Sequence, residues 1–179
     1  MQSCRLYIVG ASGSGTTTLG SAVADAWSVP HADSDDYFWI PTNPPYTLVR
    51  PAAERVDLME SVFAPRPAWV LSGSVNGWGE KILQLCDAVV FMSLEVGQRR
   101  QRAEQRESIR RNGEAIDSEA FEEFMQWSQS YDDPQFHGRS RAKHEAWLAT
   151  LDCPILRLDS TQSVQHLRDA VLSWEPESQ

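Results

Sequence analysis

The sequence has few cysteines and no long apolar run. Its three cysteines, Cys4, Cys86 and Cys153, lie far apart and form no C-x-x-C pair. They therefore indicate neither a disulfide framework nor a zinc site, and their odd number fits a reducing compartment. The first apolar run, 6–9, stops at a glycine-rich loop, so we expect neither a signal peptide nor a membrane span. These absences predict a cytoplasmic protein.

Positive charge is also scarce. The chain has 16 lysines and arginines against 25 aspartates and glutamates, a formal net charge of -9. Because a polyanion needs a basic surface, this composition disfavours a membrane or long nucleic acid as partner and favours a small molecule. A length of 179 residues with 41% hydrophobic content predicts one domain over 1–179. Both a monomer and a homodimer fit the sequence.

Short apolar runs alternate with longer amphipathic stretches. The strand-like runs lie at 6–9, 29–32, 69–72, 88–92 and 155–158. The stretches with apolar residues three and four apart lie at 16–27, 52–63, 96–112, 139–150 and 163–174. This alternation predicts an α/β fold in which a five-stranded parallel sheet is flanked by helices.

Two polar stretches interrupt this pattern. One is 35–51, which contains four prolines, and the other is about 107–138, which is polar and dotted with aromatic residues. Open α/β sheets bind ligands beyond the carboxyl ends of their strands. We therefore interpret both stretches as insertions over that edge, of the kind that act as movable lids.

The segment GASGSGTTT, from Gly10 to Thr18, lies between the first strand and the first helix, the setting of a phosphate-binding loop. Its glycines allow positive φ angles and close backbone approach, so that N–H groups and the positive end of the helix face a phosphate. Thr17 has the hydroxyl position that binds Mg²⁺ in such loops, whereas Thr16 replaces the lysine of G-x-x-x-x-G-K-[ST]. The alternative is a flexible strand-to-helix turn. The predicted nucleotide-binding residues are Gly10, Ala11, Ser12, Gly13, Ser14, Gly15, Thr16, Thr17 and Thr18.

The stretch GASGSGTTTLGSAVA resembles the opening of the adenylate-kinase-like group of P-loop nucleoside and nucleotide kinases. Its GSGTTT form is similar to archaeal cytidylate kinases, in which threonine for lysine accompanies a working kinase. The resemblance implies a P-loop kinase fold that uses ATP and Mg²⁺. It also implies an acceptor-binding insertion at about 35–63 and a helical lid at about 107–140.

Arginines must supply most of the positive charge, because Lys81 and Lys143 are the only lysines. One side of a predicted helix carries Arg99, Arg102, Arg106 and Arg110. The resemblance implies that lid arginines close onto the transferred phosphate, and the candidates are Arg102, Arg106, Arg139 and Arg141. Guanidinium groups suit this task through bidentate hydrogen bonds. Glutamates among these arginines leave a solvated helix face as the alternative.

The segment DDYFWIP follows the second predicted strand and resembles uridine-kinase-like and topology-modulation kinases. Carried over by position, Asp35 is the catalytic candidate that binds the acceptor hydroxyl and takes its proton, and Asp33 is the candidate outer-shell metal residue. Asp33 could instead cap a helix. Tyr37 and Trp39 could stack on the acceptor or pack the insertion onto the core.

The third strand ends in Ser72, where adenylate kinases have an aspartate, and no arginine follows before Arg99. Ordinary nucleoside monophosphate kinase activity is therefore disfavoured. Gly73 and Trp78 are candidates for the acceptor pocket. Two further arginines could bind an acceptor anion: Arg50 is the freer one, and Arg55 lies among acidic helix neighbours that suggest surface pairing.

These observations predict an ATP-dependent kinase that transfers the γ-phosphate to a nucleoside, a nucleotide or another small hydroxyl acceptor. The alternative is a catalytically weak ATP-binding switch, which the missing lysine and Ser72 favour. A kinase acting on RNA or DNA ends has the right chemistry, but the negative charge of the chain disfavours it.

Overall fold

A computed structural model describes residues 1–43, 45–110 and 118–176. The strands are β1 (Arg5–Gly10), β2 (His31–Asp33), β3 (Trp39–Ile40), β4 (Leu48–Val49), β5 (Trp69–Ser72), β6 (Ala88–Ser93) and β7 (Ile155–Asp159). The helices are α1 (Thr16–Trp27), α2 (Ser34–Phe38), α3 (Ala52–Val62), α4 (Glu80–Leu83), α5 (Val96–Arg110), α6 (Ser118–Gln129), α7 (Arg141–Leu148) and α8 (Val164–Ser173). A 3-10 turn, Ser130–Asp132, follows α6.

The main sheet has five parallel strands in the order β2-β5-β1-β6-β7, as the alternating pattern predicts. The central strand β1 pairs with β5 on one side and β6 on the other. The order reverses at β1, and ligands of such sheets bind beyond the strand ends at that point. The glycine-rich loop follows β1 directly, so the fold brings it to this position.

The two faces of the sheet are both covered, because successive strand residues point to opposite sides. Leu6 and Ile8 of β1 pack with α1 and α8, whereas Tyr7 and Val9 pack with residues of α3, α4 and α7. All four of these β1 residues are fully buried. The loop after β1 therefore starts from a strand that is fixed on both faces.

Most element boundaries agree with the sequence prediction to within a residue or two. The helix expected at 139–150 begins later, at Arg141, because the Ser140 side chain accepts a hydrogen bond from Lys143 N and caps it. Residues 111 and 112 of the helix expected at 96–112 lie outside the described residues. In the described part of the chain, no helix is long and apolar enough to cross a membrane.

The two interrupting stretches contain regular structure, of which the resemblance to kinases implied only the helical character of the second. The first forms α2 and an antiparallel hairpin of β3 and β4, in which Trp39 pairs with Val49 and Ile40 with Leu48. The second contains α6, which packs against α5 and buries Met125. Residue 44 of the first stretch and residues 111–117 of the second lie outside the described residues.

Candidate active site

The loop after β1 has the backbone of a phosphate cradle. Gly13 and Gly15 have φ angles of 81° and 88°, a region that favours glycine. Gly10 does not share this conformation, contrary to our expectation. It is restricted by space instead, since a Cβ on Gly10 would lie 2.5 Å from the carbonyl oxygen of Met92. The helix α1 begins at Thr16 with no side-chain cap, so its first N–H groups are available to a ligand.

The loop is held by a hydrogen bond within itself and by one from the residue that follows β7. The Ser14 hydroxyl, fully buried, donates to the Ala11 carbonyl at 2.7 Å. The Ser160 hydroxyl, just after β7, donates to the Ser14 carbonyl. Arg102 donates to the Ser160 hydroxyl at 3.1 Å and to its carbonyl at 2.7 Å. Sequence reasoning missed Ser160, because nothing in its local pattern links it to a loop 146 positions earlier.

Thr17 and Asp33 meet beside this loop, as the sequence predicted for a metal site. The Thr17 hydroxyl donates to one carboxylate oxygen of Asp33 at 2.6 Å. The other oxygen of Asp33 accepts a hydrogen bond from Asp35 N at 3.0 Å and caps α2. The capping role and the approach to the loop, considered as alternatives from the sequence, therefore occur together. Capping also fixes the direction in which this carboxylate points.

The chemistry of this pair suits Mg²⁺. Hydroxyl and carboxylate oxygens are the hard ligands that Mg²⁺ prefers, and the ion usually binds one or two protein groups together with water and phosphates. Within the described residues there is no cluster of three or more histidine, cysteine or acidic side chains that could hold a metal by itself. The fit is therefore to an ion that arrives with a nucleotide.

Asp35 lies on the exposed side of α2, next to Asp33. The surrounding protein desolvates its carboxylate, and this effect, with the negative charge of Asp33, raises its pKa. The positive charges of Arg139 and Arg106 act in the opposite direction. A carboxyl group with a raised pKa, near two guanidinium groups, has the properties of a proton acceptor at a site of phosphate chemistry.

Arg139 reaches the loop directly. Its guanidinium donates to the Ser12 hydroxyl at 2.6 Å and stacks 4.9 Å from the ring of Trp127 on α6. Burial lowers the pKa of Arg139, which still stays charged because arginine titrates far above neutrality. Its Nε atom is buried and has no hydrogen-bond partner among the described residues. Of the predicted arginines, this one contacts a loop side chain.

The other arginines differ in their surroundings. Arg102 lies beside the loop, with one guanidinium nitrogen 3.6 Å from where a Gly15 Cβ would be. Arg106 is exposed, and its positive charge acts on Asp35. Arg141 instead pairs with Asp132 at 2.7 Å, so its expected role at the phosphate is not supported by its position. Arg99 is 2% exposed and pairs with the same Asp132, which makes it structural.

Tyr37 and Arg50 are both engaged by the protein itself. Tyr37 is buried and packs edge-on against Phe63, 5.6 Å between ring centroids, so the structure shows the packing alternative for this ring. The Arg50 guanidinium donates to the backbone carbonyls of Tyr37 at 3.0 Å and Trp39 at 3.4 Å. Arg50 is therefore a brace that holds the hairpin to α2, although it is more exposed than Arg55.

Arg55 is also placed differently from the prediction of surface pairing. Its side chain is 8% exposed, and its guanidinium stacks 4.0 Å from the ring of Phe38 and 5.2 Å from that of Trp78. Its Nε donates to the Arg50 carbonyl at 2.6 Å. Trp78 is half-buried beneath this stack, and Trp39 packs against Phe38 at 4.9 Å. Phe38 and Trp78 thus pack against Arg55, and Trp39 packs within the insertion.

Ser72, at the end of β5, occupies the position at which adenylate kinases have an aspartate, and its surroundings differ from those of a metal ligand. Its side chain is fully buried, and its hydroxyl hydrogen-bonds to His31 Nε2 at 2.9 Å. The next residue, Gly73, has a φ of 99°, and a Cβ there would lie 2.0 Å from Ser34 Oγ. Gly73 therefore allows β5 and β2 to end close together, beside Asp33.

A cradle of this kind after the central strand of a sheet ordered β2-β5-β1-β6-β7 defines the chain as a member of the P-loop kinase fold class. No protein-family model matches it. The chain is 36% identical to the uncharacterized protein YqaC of Bacillus subtilis (strain 168) over 174 aligned residues. This alignment covers 95% of this chain and 96% of YqaC. The chain belongs to the same family as YqaC.

Solved structures of low sequence identity share the fold. A gluconokinase from Sinorhizobium meliloti 1021 is 17% identical, with a TM-score of 0.55 over 95% of this chain and 90% of that chain. A shikimate kinase from Acinetobacter baumannii is also 17% identical, with a TM-score of 0.53 over 94% of this chain and 90% of that chain. A sugar kinase from Janibacter sp. HTCC2649 is 16% identical, with a TM-score of 0.54 over 96% and 94% of the two chains. At these identities the likeness establishes the fold.

Proposed function

We propose that this protein is an ATP-dependent kinase that phosphorylates a hydroxyl group of a small molecule. The observation that carries the proposal is the 2.6 Å hydrogen bond between Thr17 of the phosphate loop and Asp33 at the end of β2. This pair joins a cradle for phosphates to a carboxylate at the end of β2, and phosphoryl transfer needs both. The names of the structural neighbours, among them a gluconokinase and a shikimate kinase, support a small acceptor.

In the proposed reaction, the acceptor hydroxyl oxygen attacks the γ-phosphorus of ATP. The bond between this phosphorus and the β–γ bridging oxygen breaks, ADP leaves, and the hydroxyl proton passes to the carboxylate of Asp35. The raised pKa of Asp35 supports this role, because a stronger base accepts the proton more readily. Loop N–H groups bind the phosphates, and Thr17 and Asp33 would hold Mg²⁺, which neutralises phosphate charge when bound.

The positive charge that Thr16 does not supply comes, in this proposal, from arginines around the loop. Arg139 is the principal one, because its guanidinium contacts Ser12. Arg102 lies at the other side of the loop, near Gly15, and Arg106 contributes from α5. Charge stabilisation and positioning account for most of the catalysis in phosphoryl transfer, so arginines can replace one lysine.

The test is ADP formation from Mg²⁺·ATP by the purified protein with a panel of nucleosides, nucleoside monophosphates, sugars, sugar acids and aminoglycosides. We expect one acceptor class to raise turnover well above the ATP-only rate, and Thr17→Ala to abolish the increase. Thr161→Ala, outside the loop, is the matched control. Tight ATP binding without acceleration by any acceptor would instead favour the ATP-binding switch, which the Ser72–His31 pairing also fits.

A further inference from the structure

A cavity of about 260 Å³ opens between the loop that follows β5 and the start of α7. Ser74 and Asn76 line one side of it, and Arg139, Lys143 and His144 line the other. The volume suits a small metabolite or one end of it, since pockets for larger ligands begin at roughly 300 Å³. No carboxylate lines this cavity in the described part of the chain.

The cavity adjoins the proposed phosphoryl-transfer site on two sides. Arg139 is shared, because it lines the cavity and also donates to Ser12 of the phosphate loop. Ser74 N donates to Ser34 Oγ at 3.0 Å, which ties the cavity wall to the residue between Asp33 and Asp35. An acceptor whose hydroxyl lies at Asp35 can therefore extend into this cavity.

His144 provides an unpaired polar atom at this cavity. The residue is 1% exposed, and its Nδ1 is hydrogen-bonded to the Tyr131 hydroxyl at 2.8 Å. Its Nε2 is buried and has no partner among the described residues. A phenol is a good hydrogen-bond donor, so we assign the shared proton to Tyr131 and the ring proton to Nε2. Nε2 is then a donor that lacks an acceptor, a state that costs free energy until a ligand supplies one.

The cations of the cavity have no ion-pair partner within the described residues. Lys143 donates to the His137 carbonyl, and Arg139 donates to the Ser12 hydroxyl. In the part of the chain that the structure describes, the Nε of Arg139 is buried without a hydrogen-bond partner. A pocket lined by donors and by two positive charges, in a chain of net charge -9, is complementary to an anion rich in acceptor oxygens.

We propose that this cavity binds a carboxylate or phosphate group of the acceptor, so that the substrate is a small hydroxylated anion such as a sugar acid or a phosphorylated polyol. Lys143 and Arg139 bind the anionic group, and His144 forms part of the cavity wall beside them. The claim that this anion is a substrate rests on the proposed kinase function. The claim that the cavity binds an anion does not depend on that function.

The experiment compares acceptors that differ in one anionic group. The pairs are gluconate with glucose, glycerate with glycerol, and glycerol 3-phosphate with glycerol. Each compound is measured for acceptor-dependent ADP formation and, without ATP, for its shift of the thermal unfolding midpoint. Lys143→Gln removes one cavity charge. Lys81→Gln is the matched control, because Lys81 is exposed and pairs with Glu60 at 2.5 Å on the surface.

We expect an anionic member to be preferred and Lys143→Gln to raise its KM roughly tenfold to a hundredfold, the usual effect of losing a charge-assisted hydrogen bond. Its KM for ATP should not change, and Lys81→Gln should behave as wild type. Carboxylate and phosphate acceptors are distinguished by which pair shows the preference.

The possible failures separate the two proposals. Equal use of neutral and anionic acceptors would overturn the anion cavity and leave the kinase function standing. Thermal stabilisation by an anion that Lys143→Gln weakens, with no phosphoryl transfer to any compound, would overturn the kinase function and leave the cavity standing. Identical thermal shifts in Lys143→Gln and Lys81→Gln for every anion would overturn the inference.

Discussion

At the scale of single residues, Arg139 is the arginine that we propose in place of the missing lysine, and it comes from a distant part of the chain. It is separated from Ser12 by 127 positions, and its guanidinium meets the loop only because the segment after α6 returns over it. The sequence shows that a cation is missing at Thr16, and the resemblance to kinases made Arg139 one of four candidates. Local sequence could not show which of the four contacts the loop.

Replacing Arg139 should therefore reduce catalysis sharply. We expect Arg139→Met to lower kcat/KM about a hundredfold or more, because one preorganised donor to a developing phosphate charge contributes that much. Adding Thr16→Lys should restore part of the loss by returning a cation to the loop. Steady-state kinetics of the single and double variants test this, with Arg157→Met, a residue of β7 that pairs with Glu145, as the control. No recovery in the double variant would argue against the shared role.

Asp35→Asn should abolish phosphoryl transfer while ATP still binds, because the amide cannot accept the proton. The folded-state pKa of Asp35 is raised, so the ionised carboxylate costs stability above that pKa. The variant should therefore be at least as stable as wild type at neutral pH. Asp36→Asn, on the same helix, is the control and should retain turnover. Activity and urea unfolding are the measurements, and a destabilised Asp35→Asn would contradict the second expectation.

The sequence predicted that Thr17 and Asp33 lie at the same edge of the sheet, Thr17 from its place in the loop pattern and Asp33 from its position after a strand. Their metal-binding roles stay predictions. For Tyr37 the sequence left two alternatives open, and for Arg50 it did not predict the contacts with backbone carbonyls, because the direction of a side chain in an irregular insertion depends on tertiary packing. The same limit applies to Arg55, whose partners are two aromatic rings from different elements.

At the scale of elements, the long periodic segments were predicted well and the short ones were not. Strands β3 and β4 contribute two residues each, too few to show an alternating pattern, and prolines surround them. What holds this hairpin beside α2 is Arg50, through hydrogen bonds to two backbone carbonyls. That is a tertiary interaction with no local signature.

Arg50→Met should loosen this hairpin. The two backbone carbonyls would lose a charged donor, and we expect unfolding free energy to fall by about 1 to 3 kcal/mol. Hydrogen exchange should increase at residues 39–40 and 48–49 while β1 stays protected. Arg66→Met, exposed after α3, is the control. An unchanged exchange rate in the hairpin would mean that Arg50 does not brace it.

At the scale of the whole molecule, the sequence predicted the class of sheet, its five parallel strands and the edge at which the phosphate loop lies. It did not predict the strand order, because the pairing of β2 with β5 and β6 with β7 joins segments that are distant along the chain. The sequence also did not predict that Arg139 lines a cavity beside α7 and contacts the phosphate loop, because these contacts form only in the assembled fold.

The buried His144 should make global stability depend on pH. Burial, together with the charge of Arg139, lowers its pKa from 6.5 to about 4. A depressed folded-state pKa contributes stability that is full above pH 6.5 and is lost as the pH falls towards 4. At about 1.36 kcal/mol per pKa unit, the loss is at most about 3 kcal/mol.

Urea unfolding of wild type and His144→Gln between pH 7 and pH 4 measures this contribution. The variant should show a shallower loss of stability, because glutamine does not titrate in this range. His166→Gln, exposed on α8, is the control and should keep the wild-type slope. Parallel curves for His144→Gln and wild type would contradict the assignment.

The hydrogen bond from Ser160 to the carbonyl of Ser14 also bears on how the protein matures during synthesis. The residue that closes the cradle lies 146 positions after the one it holds, so almost the entire chain must leave the ribosome before the loop is complete. Domains emerge from the amino terminus first, and contacts between distant segments form late. A nascent chain that ends before β7 should therefore lack nucleotide affinity, although its phosphate loop has already been translated.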